Sequence, residues 1–211
     1  MPRLPLIAPA AAALILSACA TTPYTGPVEV TRFVAPPAER EGLGSGTIAI
    51  TFPEPIANEA ARRAFAAAVT SELTRLGYTV VPEGAPGAQT AAIRTSRAPI
   101  VAAPVDRRGP VSVGVGGGTG GFGSGAGVGV GLNLGGGRES PQATTTLELR
   151  IARSGGTTLW EGRAQIATGV KSPYAQVDAS ARTLAAALFR DFPGGNGETV
   201  TIDVRKLQGT Q

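Results

Sequence analysis

The clearest pattern in the chain is an alternation of apolar and polar positions between residues 144 and 166. Thr145, Leu147, Leu149 and Ile151 alternate with Thr144, Thr146, Glu148 and Arg150, Ser154-Gly155-Gly156 supplies a turn, and Trp160, Ala164 and Ile166 then alternate with Glu161, Arg163 and Gln165. A period of two sends successive side chains to opposite faces, so this stretch predicts a β-hairpin with one buried face. Further strands are predicted over 28–34, where Val28 and Val30 alternate with Glu29 and Thr31, and over 47–52, which Pro53 and Pro55 end. Residues 78–81 predict a short strand closed by Pro82, 91–103 contain another interrupted near Pro99, and 199–204 close the chain.

Two stretches carry helical spacing instead. Phe65, Val69, Leu73 and Leu76 share one face while Arg62, Arg63, Glu72 and Arg75 lie elsewhere; Asn58 suits the N-cap and Gly77 the left-handed residue past the last turn. Ser172-Pro173 predicts a second N-cap with proline at the first helical position, and that helix runs to about Phe189 or Arg190 with Val177, Ala181, Leu184 and Leu188 inward. Phe192-Pro193-Gly194-Gly195 stops it. Together these elements predict an α+β domain: an antiparallel sheet of about six strands, two amphipathic helices on one face, and a Gly-rich hairpin or loop insertion. Leu149, Trp160, Leu184 and Leu188 are expected to be buried together where the second helix crosses the hairpin.

The insertion, residues 109–137, holds half of the chain's 30 glycines and no charged residue. Val111, Val113 and Val115, and later Val128, Val130, Leu132 and Leu134, alternate with small or polar residues, which suits two extended arms. The plainest reading is a solvent-exposed insertion without fixed structure; the other is an extended hairpin for self-association or envelope contact, with Phe122 as the candidate contact tip. Gly117, Gly121, Gly125 and Gly129 have the spacing of a glycine zipper, but each glycine costs a helix about 1 kcal/mol. Gly116-x-Gly118-x-x-Gly121 matches a dinucleotide fingerprint in letters only, because no strand–turn–helix context surrounds it.

The first 19 residues change the picture most. Arg3 precedes an apolar run, 4–16, that is too short to span a bilayer, and Leu16-Ser17-Ala18-Cys19 follows. This resembles the lipobox of bacterial lipoproteins: a branched residue, two small residues, then the cysteine that becomes the acylated N-terminus. The expected organisation is a signal peptide over 1–18, lipidated Cys19 and a tether over 19–27, and one domain over 28–211. An ordinary cleavage site or an uncleaved anchor are the competing readings. Ala20 follows the cysteine where inner-membrane retention favours Asp, so the resemblance implies an outer-membrane anchor facing the periplasm.

Composition removes several chemistries. The chain has no histidine and one cysteine, Cys19, which excludes imidazole bases, Ser–His–Asp triads, intramolecular disulfides and thiolate zinc sites. Its net charge of +4 is spread out, with no basic stripe interleaved with aromatics, which argues against nucleic acid as a partner. Glu148, Glu161, Asp178 and Asp191 could supply acid–base chemistry but have no partner implied by spacing, and Trp160 reads as a core residue. No cofactor and no metal are expected.

The lipobox start, Leu159-Trp160-Glu161-Gly162 in the hairpin and Ala187-Leu188-Phe189-Arg190-Asp191-Phe192-Pro193 at the helix end together resemble the bacterial envelope lipoproteins of the domain-of-unknown-function 4136 family. The Gly/Val-rich insertion is similar to that of alphaproteobacterial members, and the likeness covers roughly residues 28–204. The tyrosine- and aspartate-rich opening of many members has no counterpart here. The family has no established activity, so the resemblance implies no functional residues. The expectation is a non-enzymatic, lipid-anchored envelope protein that binds or assembles with an envelope partner. The alternatives are a structural protein self-associating through its Gly/Val hairpin and a carboxylate-dependent hydrolase.

Overall fold

A computed structural model describes residues 23–100 and 142–210. They form an α+β domain in the order β1 (Thr25–Val34), β2 (Gly46–Thr51), α1 (Glu59–Arg75), β3 (Tyr78–Val81), β4 (Gln89–Pro99), β5 (Ala143–Ala152), β6 (Thr158–Thr168), α2 (Val177–Phe189) and β7 (Thr199–Ile202). The leader, Cys19 and the insertion 109–137 lie outside the described residues.

The sheet has seven strands in the order β3-β2-β4-β5-β6-β1-β7. It is mixed, which corrects the expectation of a purely antiparallel sheet of about six strands. β2 pairs in parallel with β3 on one side and with β4 on the other, while the remaining pairs are antiparallel. The physical reason is α1: a helix between two strands carries the chain back to the end it left, so β3 runs in the direction of β2.

Both helices pack on the same face and against each other, α1 over β3 and α2 over β5, β6 and β1. α1 begins where Asn58 Oδ1 accepts from the backbone N–H groups of Ala60 and Ala61, at 3.0 and 3.1 Å, and ends before Gly77 at φ +104°. Its buried face is Phe65, Ala68, Val69 and Leu73. The four residues expected to meet, Leu149, Trp160, Leu184 and Leu188, are fully buried in one core.

Three local expectations are corrected. Ser172 does cap with its hydroxyl, accepting from Tyr174 N–H, but the turn it caps is a single 3-10 turn, Pro173–Ala175. Gln176 then returns to extended geometry and α2 starts at Val177 without a side-chain cap. The closing strand stops at Ile202 and passes into a 3-10 helix, Val204–Thr210, whose Val204 packs into the core. β1 starts at Thr25, so residues 25–27, read as tether, are strand.

Candidate functional site

The residues the sequence singles out for lipidation and contact, Leu16, Ser17, Ala18, Cys19 and Phe122, lie outside the described residues. The structure does establish where the segments bearing them leave the domain. Thr25 in β1 pairs with Thr168 in β6, Thr168 with Ala143 in β5, and Ala143 with Pro99 in β4. These four residues form one row across one end of the sheet. The chain from Cys19 enters at its first member, and residues 101–141 leave and return at its other side. Backbone bonds lock the row: Gly169 N–H donates to Tyr24 O, Gln142 N–H to Thr168 O, and Ile100 N–H to Gln142 O. The insertion therefore joins two paired inner strands, β4 and β5, and is not rooted beside the edge strands β3 or β7.

The carboxylates do not converge. Glu148 and Glu161 stand on the open face of the sheet, where strand register sets each opposite an arginine: Glu148 with Arg163 at 3.5 Å and Glu161 with Arg150 at 3.6 Å. Glu54 meets Arg94 at 3.0 Å, and Glu29 accepts from Gln165 at 2.6 Å, so this face is a grid of cross-strand polar pairs. Burial pushes the Glu161 carboxyl above its ordinary range, against the pull of Arg150 and Arg94. Asp178 lies in the first turn of α2 and Asp191 follows its end beside Arg190 at 3.6 Å, far from the grid in the chain. Among the described residues no group of three acidic, histidine or cysteine side chains is placed to hold a metal, and no helix is long and apolar enough to cross a membrane.

Sequence reasoning missed the linkage between the two motifs that carry the family resemblance. Trp160 stacks on Phe189 with centroids 5.7 Å apart and contacts Phe192 at 5.3 Å, while its indole N–H donates to Pro193 O at 2.9 Å. Arg32 lies beside this cluster with 4% of its surface exposed. Its Nε and Nη2 donate to the carbonyls of Leu188 and Ala187, at 2.9 and 3.0 Å, capping the C-terminal end of α2. Burial lowers the Arg32 pKa, while Asp191 and Glu198 raise it. The signal was present in the sequence, because Arg32 continues the Val28, Val30 alternation into the buried face.

Two surface grooves are shallow. One, of about 350 Å³, lies between α1 and β3, where the Arg62 guanidinium sits 5.1 Å over the Phe52 ring. The other, of about 310 Å³, lies beside α2 and is lined by Tyr174, Arg182, Val204 and Leu207 among others.

No protein-family model matches the chain, and no curated protein matches it. Among solved structures it is similar to a PDZ domain protein from Parabacteroides distasonis, at 14% identity and a TM-score of 0.48 over 85% of this chain. The match spans 38% of that protein's length. It is also similar to PelC, a dodecamer from Paraburkholderia phytofirmans, at 12% identity and a TM-score of 0.34 over 76% of this chain and 94% of that one. At these identities and scores neither likeness speaks to function.

Proposed function

We propose that the chain is a lipid-anchored cell-envelope lipoprotein whose domain acts by binding or assembly, without catalysis. The observation that carries this reading is the single cysteine, placed at position 19 behind Leu16-Ser17-Ala18 and a short apolar run. The fold is compatible with it: β1 begins at Thr25, a few residues after the proposed acylated terminus. The scatter of Glu148, Glu161, Asp178 and Asp191, with the first two held by arginines, supports a binding role over the hydrolase reading. Ala20 favours the outer membrane, with the domain in the periplasm.

Metabolic labelling with a palmitate analogue tests the anchor. The wild-type chain takes up label, while Cys19→Ser takes up none and accumulates as precursor or soluble protein. Label in the Cys19→Ser variant would overturn the reading.

A further inference from the structure

The row Thr25–Thr168–Ala143–Pro99 defines an end of the domain whose surface differs from the rest. Adjacent strands lie about 4.8 Å apart, so its outer members are only about 14 Å from one another. Five residues separate Cys19 from Thr25, and the six Cα-to-Cα steps between them reach about 20 Å at most when extended. An acyl group on Cys19 therefore keeps this end within about 20 Å of the bilayer, whereas the β5–β6 turn lies a further strand length away, about 30 Å.

The exposed side chains at this end suit a lipid surface. Among the described residues the large exposed apolar side chains are Phe33, Ile100 and Val170, and two of them stand here, Val170 at 64% and Ile100 at 39% exposure. Arg97 and Lys171 flank them, both exposed. Arg97 gives Nη1 to Ala175 O at 2.7 Å, which fixes its position beside the 3-10 turn. Residues 23–28, 95–100, 142–146 and 166–177 contain no carboxylate. Of the acids that border these segments, Glu29 is held by Gln165 and Asp203 by Arg205 at 2.6 Å, while Asp178 follows in the first turn of α2. Apolar side chains flanked by cations, with no acid among them, match an anionic headgroup layer over apolar tails.

We propose that this end, through Ile100, Val170, Arg97 and Lys171, docks directly on an anionic lipid surface. The docking rests on the lipid-anchor reading, since the tether brings the surface to the membrane. It fixes the orientation of the domain: the sheet stands on the bilayer by this end, with the β5–β6 turn pointing away.

The test uses the full acylated lipoprotein reconstituted in phosphatidylethanolamine–phosphatidylglycerol vesicles. With Cys19 acylated, Val170→Cys offers a unique thiol for an environment-sensitive fluorophore; Ile100→Cys is a second such site, and Ser154→Cys in the β5–β6 turn is the reference. Labels within about 10 Å of the acyl boundary should shift to the blue and lose roughly half or more of their emission to brominated lipids, while the Ser154 label is unchanged. Arg97→Gln with Lys171→Gln should reduce that quenching, as should raised salt. Protein that fails to float with vesicles overturns the anchor reading. Protein that floats while labels at 100 and 170 behave like the one at 154 overturns the docking and leaves the anchor standing. Equal quenching on pure phosphatidylcholine vesicles overturns the anionic preference.

Discussion

The Trp160 ring lies across Gly162 so closely that a Cβ built on the glycine would sit 2.4 Å from Trp160 Cη2 and 2.7 Å from Leu188 Cδ1. The two residues face the same side of β6, and α2 closes over them. This explains why a glycine stands mid-strand, where it would otherwise weaken the sheet: it leaves room for an indole lying flat along the strand. The stacked Phe189 and the bond to Pro193 O then hold the indole there. The Leu-Trp-Glu-Gly and Phe-Arg-Asp-Phe-Pro motifs thus form one packing unit, which gives them a structural reason independent of any chemistry.

Gly162→Ala should therefore be destabilising although alanine suits strands better than glycine. Overpacking of this kind costs about 1–3 kcal/mol, and each kcal/mol shifts the midpoint of a domain of this size by about 2–4 °C. Thermal unfolding followed by tryptophan fluorescence reads it directly. An unchanged midpoint would mean that the indole can move aside at no cost.

Arg32 makes a second prediction. Its guanidinium satisfies two carbonyls at the end of α2, and Gly194 leaves it room, since a Cβ there would lie 2.8 Å from Arg32 Cδ. Arg32→Met removes the bonds and orphans the carbonyls, at a cost of about 2–3 kcal/mol. Arg32→Lys should recover less than half of that, because an ammonium cannot span both carbonyls as a planar fork does. Urea midpoints for the three proteins check the order.

The helix ends show how much of this fold could be read in advance. Asn58 and Gly77 act on groups within a few residues of themselves, so α1 was legible to the residue, as were the β5–β6 hairpin and its inward face. Ser172 misled because a cap followed by proline specifies one turn, and nothing local says that Gln176 interrupts it. The parallel pairing of Ile48 with Val80 depends on how α1 packs, which no strand pattern encodes. Arg32 finds its acceptors 155 and 156 residues away, so nothing near it in the chain marks it as a cap. Of the proposed site, Cys19 is marked in the sequence by its position behind Leu16-Ser17-Ala18 and lies outside the described residues. The row from Thr25 to Pro99 is not marked there, because register brings its members together.

Buried hydroxyls give an opposite sign. Thr168 is fully buried and its Oγ1 has no hydrogen-bond partner among the described residues, whereas nearby Ser172 Oγ bonds Thr25 Oγ1 at 2.6 Å. Thr168→Val removes an unsatisfied group at nearly constant shape and should raise stability by about 1 kcal/mol. Ser172→Ala should lower it, since it strips two bonds. A loss on Thr168→Val would show that the hydroxyl is satisfied in solution.

Glu161 sets a pH dependence. Burial raises its pKa above the ordinary 4.5, so the folded state holds that proton more tightly than the unfolded chain. The associated stability is present below pH 4.5 and is lost as pH rises through the folded value. Glu161→Gln should therefore gain on the wild type as pH rises through that window, and Arg150→Met should push the carboxyl higher still. Carbon-detected NMR titration of the side chain follows both, and a midpoint at or below the ordinary value would refute the burial argument.

The glycine-rich insertion supplies the last prediction, because the structure gives its two roots. Ile100 N–H donates to Gln142 O at 2.9 Å, and Pro99 faces Ala143, so β4 and β5 are already a closed antiparallel pair before residue 101 begins. Nothing in that pairing needs the segment as a spacer. A chain in which a two-residue Asn-Gly turn replaces residues 101–141 keeps every described strand and both helices. The entropic cost of closing a connection falls by about 0.6 kcal/mol for each halving of its length, so four halvings gain roughly 2 kcal/mol. The midpoint should stay level or rise, and the labels at Val170 and Ser154 should keep their contrast on vesicles, since the docking surface lies in the described residues. A loss of envelope function in this variant would then belong to the insertion itself, with Phe122→Ala in the full chain as the narrower test. A domain that unfolds without residues 101–141 would instead make the segment part of the fold, and the insertion would have to be counted with the core.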